Sequence, residues 1–191
     1  LDTSSGSVLA GITLSAPKGA AVITPTTTLM QEGGLTTAQV AAVLGVPDGV
    51  DLLTFNPYAI GVNTANALAV EIAAQQVVAV VTAFAGAAEG AGASPEDAFA
   101  AAMQSVAEVV KMKAEAAAAD STASAESTKI DFADAADLGL IKNQVAIQVA
   151  TKDGTDQTIF DAIAGDTVTA IKNVNDVIAT ASDLTSDASR N

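Results

Sequence analysis

Cysteine, histidine and tryptophan are all absent from this chain of 191 residues. Without cysteine, the chain can form no disulfide and no thiolate-bound zinc or iron–sulfur centre. Without histidine, it lacks the most common general base and the most common transition-metal ligand. A nucleophile would need serine, threonine, lysine or a carboxylate beside another base, and neither Gly-x-Ser-x-Gly nor Ser-x-x-Lys occurs in a usable context. The sequence therefore predicts a protein that is not an enzyme and that needs no organic cofactor.

Basic and aromatic residues are scarce, with 8 lysines and arginines against 22 acidic residues and only 3% aromatics. A net charge of −14 repels phosphate backbones and anionic membrane surfaces, which argues against nucleic acid as a partner. Such acidity is typical of a soluble exterior, and it also favours divalent cations. With so few aromatic residues, the core must be built from alanine, valine, isoleucine and leucine, whose small side chains let helices approach closely.

Apolar residues at helical spacing dominate residues 63–113, around which the rest of the chain is organised. Residues 64–85 predict one long helix, with a large apolar set on one side: Leu68, Ile72, Val77, Val78, Val81 and Phe84. A second helix is expected after Ser94, a serine cap that is followed by proline and two acids. Its packing seam is predicted to comprise Phe99, Met103, Val106 and Val110. The glycine-rich residues 86–92 predict the turn between the two helices.

The same patterns predict further helices over residues 25–32, 37–44 and 132–151, then a short helix that ends at Gly165 and a last helix capped by Asp166. We therefore expect an all-α fold, a helical bundle of four to five main helices over residues 25–187. Residues 1–24 alternate like a strand and are expected to form an extended or β N-terminal arm, or the tail of a preceding β-domain. The most apolar window, residues 77–88, is shorter than the ~20 residues that span a bilayer, so no membrane insertion is expected.

Two loops carry acidic residues at turn positions and are the candidate metal sites. Asp48 and Asp51 lie in one irregular loop that also contains Asn56, and Asp153 and Asp156 lie in another. Hard oxygen ligands on turns can hold calcium, although aspartate in such loops commonly serves only to form the turn. Calcium is therefore the only cofactor that the sequence suggests.

A second acidic group, Asp131, Asp134 and Asp137, is spaced three residues apart near the start of the helix predicted over residues 132–151. We interpret these acids as helix N-terminal residues rather than as a catalytic set. Three aromatic residues, Phe55, Tyr58 and Phe84, could line a cleft for a small ligand, although core packing is the competing interpretation.

Residues 14–29 (Leu-Ser-Ala-Pro-Lys-Gly-Ala-Ala-Val-Ile-Thr-Pro-Thr-Thr-Thr-Leu) resemble a motif of very large secreted or surface-anchored bacterial proteins, in which a β-domain is followed by an alanine-rich helical domain. The similarity continues in residues 41–57, close to the family's Leu-Gly-Leu and Val-Asp-Leu-Thr-Thr-Tyr-Asp-Pro segments, and covers about residues 9–60. Thr26 stands where leucine is usual and Asn56 where aspartate is usual. The resemblance implies an extracellular or cell-surface adhesin-like protein, and it brings no catalytic residue.

These observations lead to one principal expectation and two alternatives. The principal one is a structural or adhesion module of a bacterial exoprotein, a spacer or protein–protein contact with neighbouring domains in a larger chain. The N-terminal sequence, which lacks methionine and a signal-like apolar region, is expected to be a mature or excised start. The first alternative is a self-assembling filament or surface-layer subunit that uses the N-terminal arm for contact between copies. The second is a small-ligand or calcium-binding helical domain.

Overall fold

The computed structural model describes residues 13–120 and 128–182. These residues form six α-helices and no strand, which confirms the predicted all-α class. In chain order the helices are α1 (Pro25–Gly33), α2 (Thr37–Leu44), α3 (Thr64–Gly90), α4 (Pro95–Ala119), α5 (Ala135–Val149) and α6 (Gln157–Ala179). Four of them, α3 to α6, have 15 or more residues.

Helices α3 and α4 form the centre of the fold. They pack against each other, and every other helix in the described part contacts at least one of them. Helix α1 contacts both, α2 and α5 lie mainly on α4, and α6 lies along α3. The predicted seam of α4 is confirmed, because all four of its residues are buried: Phe99, Met103, Val106 and Val110.

Local capping chemistry fixes the bounds of α1 and α2. Thr24 caps α1 and Thr36 caps α2, and each accepts a hydrogen bond from the backbone N–H three residues on. In α2 the Gln39 side chain returns the bond to the N–H of the cap, which completes the predicted capping box. Each helix ends at a glycine in the left-handed region, Gly34 and Gly45. Because caps need only neighbouring residues, the sequence predicts these two helices closely.

Helix α3 is longer than the sequence predicts. We expected it to end before Gly86, but it runs to Gly90, and the turn is confined to the residues between Gly90 and Pro95. Ala87 and Ala88 are buried, so packing of the last turns outweighs the cost of about 1 kcal/mol for a helical glycine. At Gly90, an added Cβ would lie 2.9 Å from Cδ1 of Ile163, so the glycine makes room for α6.

The buried face of α3 also differs from the prediction. Val77, Val81 and Phe84 are in the core, but Leu68 and Ile72 are only half-buried and Val78 is exposed. Small residues occupy the buried positions instead, chiefly Ala67, Val70, Ala73, Ala74 and Val80. Since α3 is apolar on most of its circumference, the spacing of its large residues alone does not identify the face that packs.

Helix α6 replaces the two helices that we predicted on either side of Gly165. It is continuous over 23 residues, and Asp166 lies within it rather than capping it. Phe160 and Ala164 before the glycine lie on the same face as Ile171 after it, and all three are buried. Continuous burial of this face therefore outweighs the local preference of glycine to end a helix. Helix α5 likewise differs, because Asp134 caps it and it begins at Ala135 rather than at residue 132.

The described part of the predicted arm, residues 13–24, is bonded within the chain. The backbone N–H of Ser15 donates to Oγ1 of Thr28 at 3.1 Å, and that hydroxyl donates to the Ser15 carbonyl at 2.9 Å. The N–H of Ala21 donates to the carbonyl of Leu53 at 2.7 Å. These bonds attach the segment to α1 and to the α2–α3 connector. The start of the arm and the exposed link predicted over residues 121–128, except Thr128, lie outside the described residues.

Among the described helices, only α3 is long and apolar enough, by length and composition alone, to cross a membrane. Its most apolar 18-residue window has a mean hydropathy of 1.8, and 39% of that window is buried. This helix is longer than the apolar window that the sequence suggests, because α3 continues through Gln75 and Gly86. Helix α3 packs against α1, α4, α5 and α6.

Candidate ligand cleft

A cleft of about 360 Å³ lies between the N-terminal end of α1, the α2–α3 connector and the first half of α3. Its volume is in the range of small-molecule sites. Buried residues, Leu52, Val70 and Ala74, contribute to its lining. Five further lining residues are exposed: Ile23, Asn56, Tyr58, Gln75 and Val78. The cleft is thus a partly open, largely apolar depression.

Short-range hydrogen bonds hold the connector that forms one wall. The Asp51 carboxylate accepts the N–H of Leu53 and the hydroxyl of Thr54, each at 3.1 Å. Oδ1 of Asn56 accepts the N–H of Tyr58 at 2.9 Å, an Asx-type turn across the intervening proline. These bonds fix the backbone that carries Phe55 and Tyr58 into the lining.

Glu71 is the only charged residue among those that line the cleft. Its Oε1 accepts a hydrogen bond from Nε2 of Gln75 at 2.7 Å, and within the described residues no lysine or arginine forms a salt bridge with it. The carboxylate also acts on Tyr58. Although 67% of Tyr58 is exposed, partial burial of its hydroxyl raises its pKa to about 12, and the charge and hydrogen bond of Glu71 add to this.

Only two of the three aromatic residues that the sequence suggested for a ligand cleft line the observed cleft. Phe55 and Tyr58 line the cleft, but Phe84 is fully buried in the core and lies outside the lining. Glu71 was not singled out as a site residue from the sequence. Its sequence context is unusual, because Glu71 and Glu89 are the only charged residues among the 27 residues of α3. What the sequence could not show is that Tyr58 and Glu71 line the same cleft.

The candidate calcium ligands are distributed over separate turns. Asp51 uses both carboxylate oxygens in its own turn, while Asp48 is exposed. Asp156 caps α6 by accepting the N–H groups of Thr158 and Ile159, and Asp153 is exposed in the preceding turn. Over residues 13–120 and 128–182, no group of three or more acidic side chains is arranged to hold a metal ion. Calcium binding by these four aspartates stays a prediction.

The acids before and within α5 have structural partners. Asp134 caps the helix by accepting the N–H groups of Ala136 and Asp137. Asp137 forms a salt bridge of 2.7 Å with Lys113 of α4 and accepts the N–H of Asp131 at 2.8 Å. Nζ of Lys113 also donates to the carbonyl of Lys129 at 2.9 Å. Capping by Asp134 fits the interpretation of helix N-terminal acids, and the Lys113 contacts join α4 to the segment before α5.

The described residues form an all-α fold, and the cleft beside α3 is mostly apolar with one carboxylate, Glu71, in its lining. No protein-family model, curated protein or solved structure matches the chain.

Proposed function

We propose that this chain is a non-enzymatic structural or adhesion module of a bacterial extracellular or cell-surface protein, and that it acts as a spacer or protein–protein contact. In this proposal the helices form a bundle with an N-terminal arm, neighbouring domains of a larger chain are the partners, and nucleic acid and membrane insertion play no part. The resemblance of residues 9–60 to surface proteins motivates the cellular location.

The observation that carries the contact proposal is an exposed apolar stripe on α6. Four large side chains of this helix are exposed: Ile159, Ile163, Val174 and Val177. At 100° per residue they project from one side of the helix, next to the face that packs on α3. Ala170 lies within the same stripe, and Asp166 is its only charged residue. An exposed apolar stripe of this length is characteristic of a surface that another protein covers.

Charge favours a basic partner over a second copy of the chain. Two copies would each bring a net charge of −14 to the contact. A partner with an apolar stripe and a lysine or arginine opposite Asp166 would avoid that repulsion and would pair the one charge on the stripe. The contact is therefore assigned to a neighbouring or separate protein domain that carries basic residues beside apolar ones.

Binding between this chain and the domains that flank it in the full-length gene product tests the proposal. Val174→Asp should weaken binding by at least about tenfold, because it buries a second acid in the contact. Thr169→Asp is the matched control, since it adds the same charge to an exposed position on another side of α6. Equal binding by both variants, or no binding by any flanking domain, would contradict the proposal.

Self-association that is lost when the N-terminal arm is deleted, but is kept in Val174→Asp, would instead support the alternative of a filament or surface-layer subunit. That alternative assigns the contact to the N-terminal arm, but residues 15 and 21 of the arm already bond to α1 and to the connector. The other alternative, small-ligand binding, is favoured by a separate observation, the cleft beside Tyr58 and Glu71.

A further inference from the structure

The composition of the cleft restricts the ligands that it could hold. Most of its lining is apolar, so the body of a ligand would bury hydrocarbon against Leu52, Phe55, Val70 and Ala74. A volume of about 360 Å³ is enough for a whole small molecule, such as one with a six-membered ring and a short substituent. An apolar body alone, however, would cover Glu71 and separate its carboxylate from water, leaving it the single hydrogen bond from Gln75.

The position of Glu71 determines which polar group such a ligand needs. A carboxylate that loses water is stabilised best by a cation that also donates hydrogen bonds. An alkylammonium group has three donors and a positive charge, so it can satisfy Glu71 directly. Tyr58 is a second polar element, because it lines the same cleft as Glu71 and its ring can receive a cation on its face. A carboxylate or phosphate in the same place would face like charge.

We propose that this cleft binds a small apolar molecule that carries one ammonium group. The apolar part lies against Leu52, Phe55 and Ala74, and the ammonium group contacts the Glu71 carboxylate beside the Tyr58 ring. This inference rests on the second candidate function, ligand binding, and names its ligand class. It is independent of any contact that α6 makes, because the stripe on α6 and the cleft share no residue.

The chain offers a direct optical probe for this binding. Tyr58 is its only tyrosine and it has no tryptophan, so intrinsic tyrosine fluorescence reports the cleft alone. Three ultraviolet-transparent probes of nearly equal size compare an ammonium, a hydroxyl and a carboxylate group on the same ring: cyclohexylmethylamine, cyclohexylmethanol and cyclohexanecarboxylate. At neutral pH the amine should bind at least about tenfold more tightly than the alcohol, and the carboxylate should bind most weakly.

Glu71→Gln should remove the advantage of the amine and leave the alcohol affinity within about twofold. Glu89→Gln is the matched control, because it removes the same charge from an exposed position of the same helix outside the cleft. If Glu89→Gln weakens amine binding as much as Glu71→Gln, the amine is responding to the net charge of the protein and the proposal is wrong. Circular dichroism of both variants shows whether they remain folded.

The remaining outcomes separate the ligand class from the ligand site. Saturable binding of the alcohol without preference for the amine would keep a ligand site but overturn the ammonium class. Absence of saturable binding by all three probes at millimolar concentration would overturn both. Tighter binding of N-acetyl-lysine amide than of the free amine would assign the cleft to a lysine side chain of a protein and would overturn the small-molecule proposal.

Discussion

Replacement of Gly92 by alanine should be one of the most damaging small substitutions in the chain. The residue lies in the turn between α3 and α4, with a φ of +106°, a conformation that L side chains rarely adopt. An alanine Cβ there would also lie 2.5 Å from the carbonyl oxygen of Gly154, in the turn between α5 and α6. Because that neighbour is backbone, the clash is relieved only if one of the two turns moves.

The cost of this substitution follows from strain and from the contacts that the movement disturbs. The backbone conformation alone costs an alanine on the order of 1–3 kcal/mol. Moving the Gly154 turn would lengthen the bond of 2.8 Å from the N–H of Asp156 to the carbonyl of Ala91, which contributes about 1 kcal/mol. It would also disturb the exposed salt bridge of 3.1 Å between Lys152 and Asp97, which contributes little. We expect a loss of about 2–4 kcal/mol for Gly92→Ala.

The matched control is Gly86→Ala. Gly86 is exposed within α3, and an added Cβ there meets nothing within 4 Å. Alanine should therefore stabilise the helix by about 0.5–1 kcal/mol. Urea unfolding of both variants, followed by far-ultraviolet circular dichroism, gives the two free energies, and the melting temperatures should change by roughly 2–4 °C per kcal/mol. If Gly92→Ala is as stable as Gly86→Ala, the close approach of the two turns in solution is refuted.

Three further predictions concern the pKa of Tyr58, the ion pair of Lys113 and the aspartates of the two acidic loops. Ultraviolet titration of Tyr58, the only tyrosine, should give a pKa of about 12, and Glu71→Gln should lower it without restoring 10.0, because burial is the larger cause. The pKa of Tyr58 is higher in the folded than in the unfolded state, so its protonated hydroxyl contributes fully to folding stability below pH 10.0. This contribution is lost as the pH rises through about 12, and Tyr58→Phe should remove that loss of stability. Lys113→Met should cost about 1–3 kcal/mol, because it removes the cation that pairs with Asp137 and donates to the Lys129 carbonyl. Lys172→Met breaks an exposed i,i+4 pair with Asp176 and should cost less in the same urea assay. If Asp48, Asp51, Asp153 and Asp156 bind calcium, millimolar calcium should raise the melting temperature more than magnesium does. Asp153→Asn should reduce this rise. An unchanged melting temperature would contradict the calcium hypothesis.

The parts of the fold that the sequence predicts well depend on neighbouring residues. Thr24, Thr36 and Ser94 each cap the helix that follows them, and their side chains accept backbone N–H groups three residues on. Gly34 and Gly45 end the first two helices with left-handed conformations. Such bonds form within a few residues, so residue type and spacing are enough to place them.

The incorrect predictions share a physical cause, which is packing between distant segments. Gly86 and Gly165 remain helical because buried residues on both sides of each glycine pack against another helix. Local preference favours a helix end at either glycine, but it amounts to only about 1 kcal/mol. The sequence likewise could not show that Tyr58 and Glu71 line one cleft, because the connector that carries Tyr58 has no regular structure.

The cleft lies beside an alanine-rich core. Along most of α3 and α4, alanine and valine allow the helices to pack closely, and core residues such as Ala88 and Ala102 have no exposed surface. The connector has no regular structure, and its Leu52 and Phe55 line the cleft together with Ala74 on α3. The carboxylate of Glu71 on α3 is the only charged group in the lining of this cleft, so the proposed preference for an ammonium group depends on it.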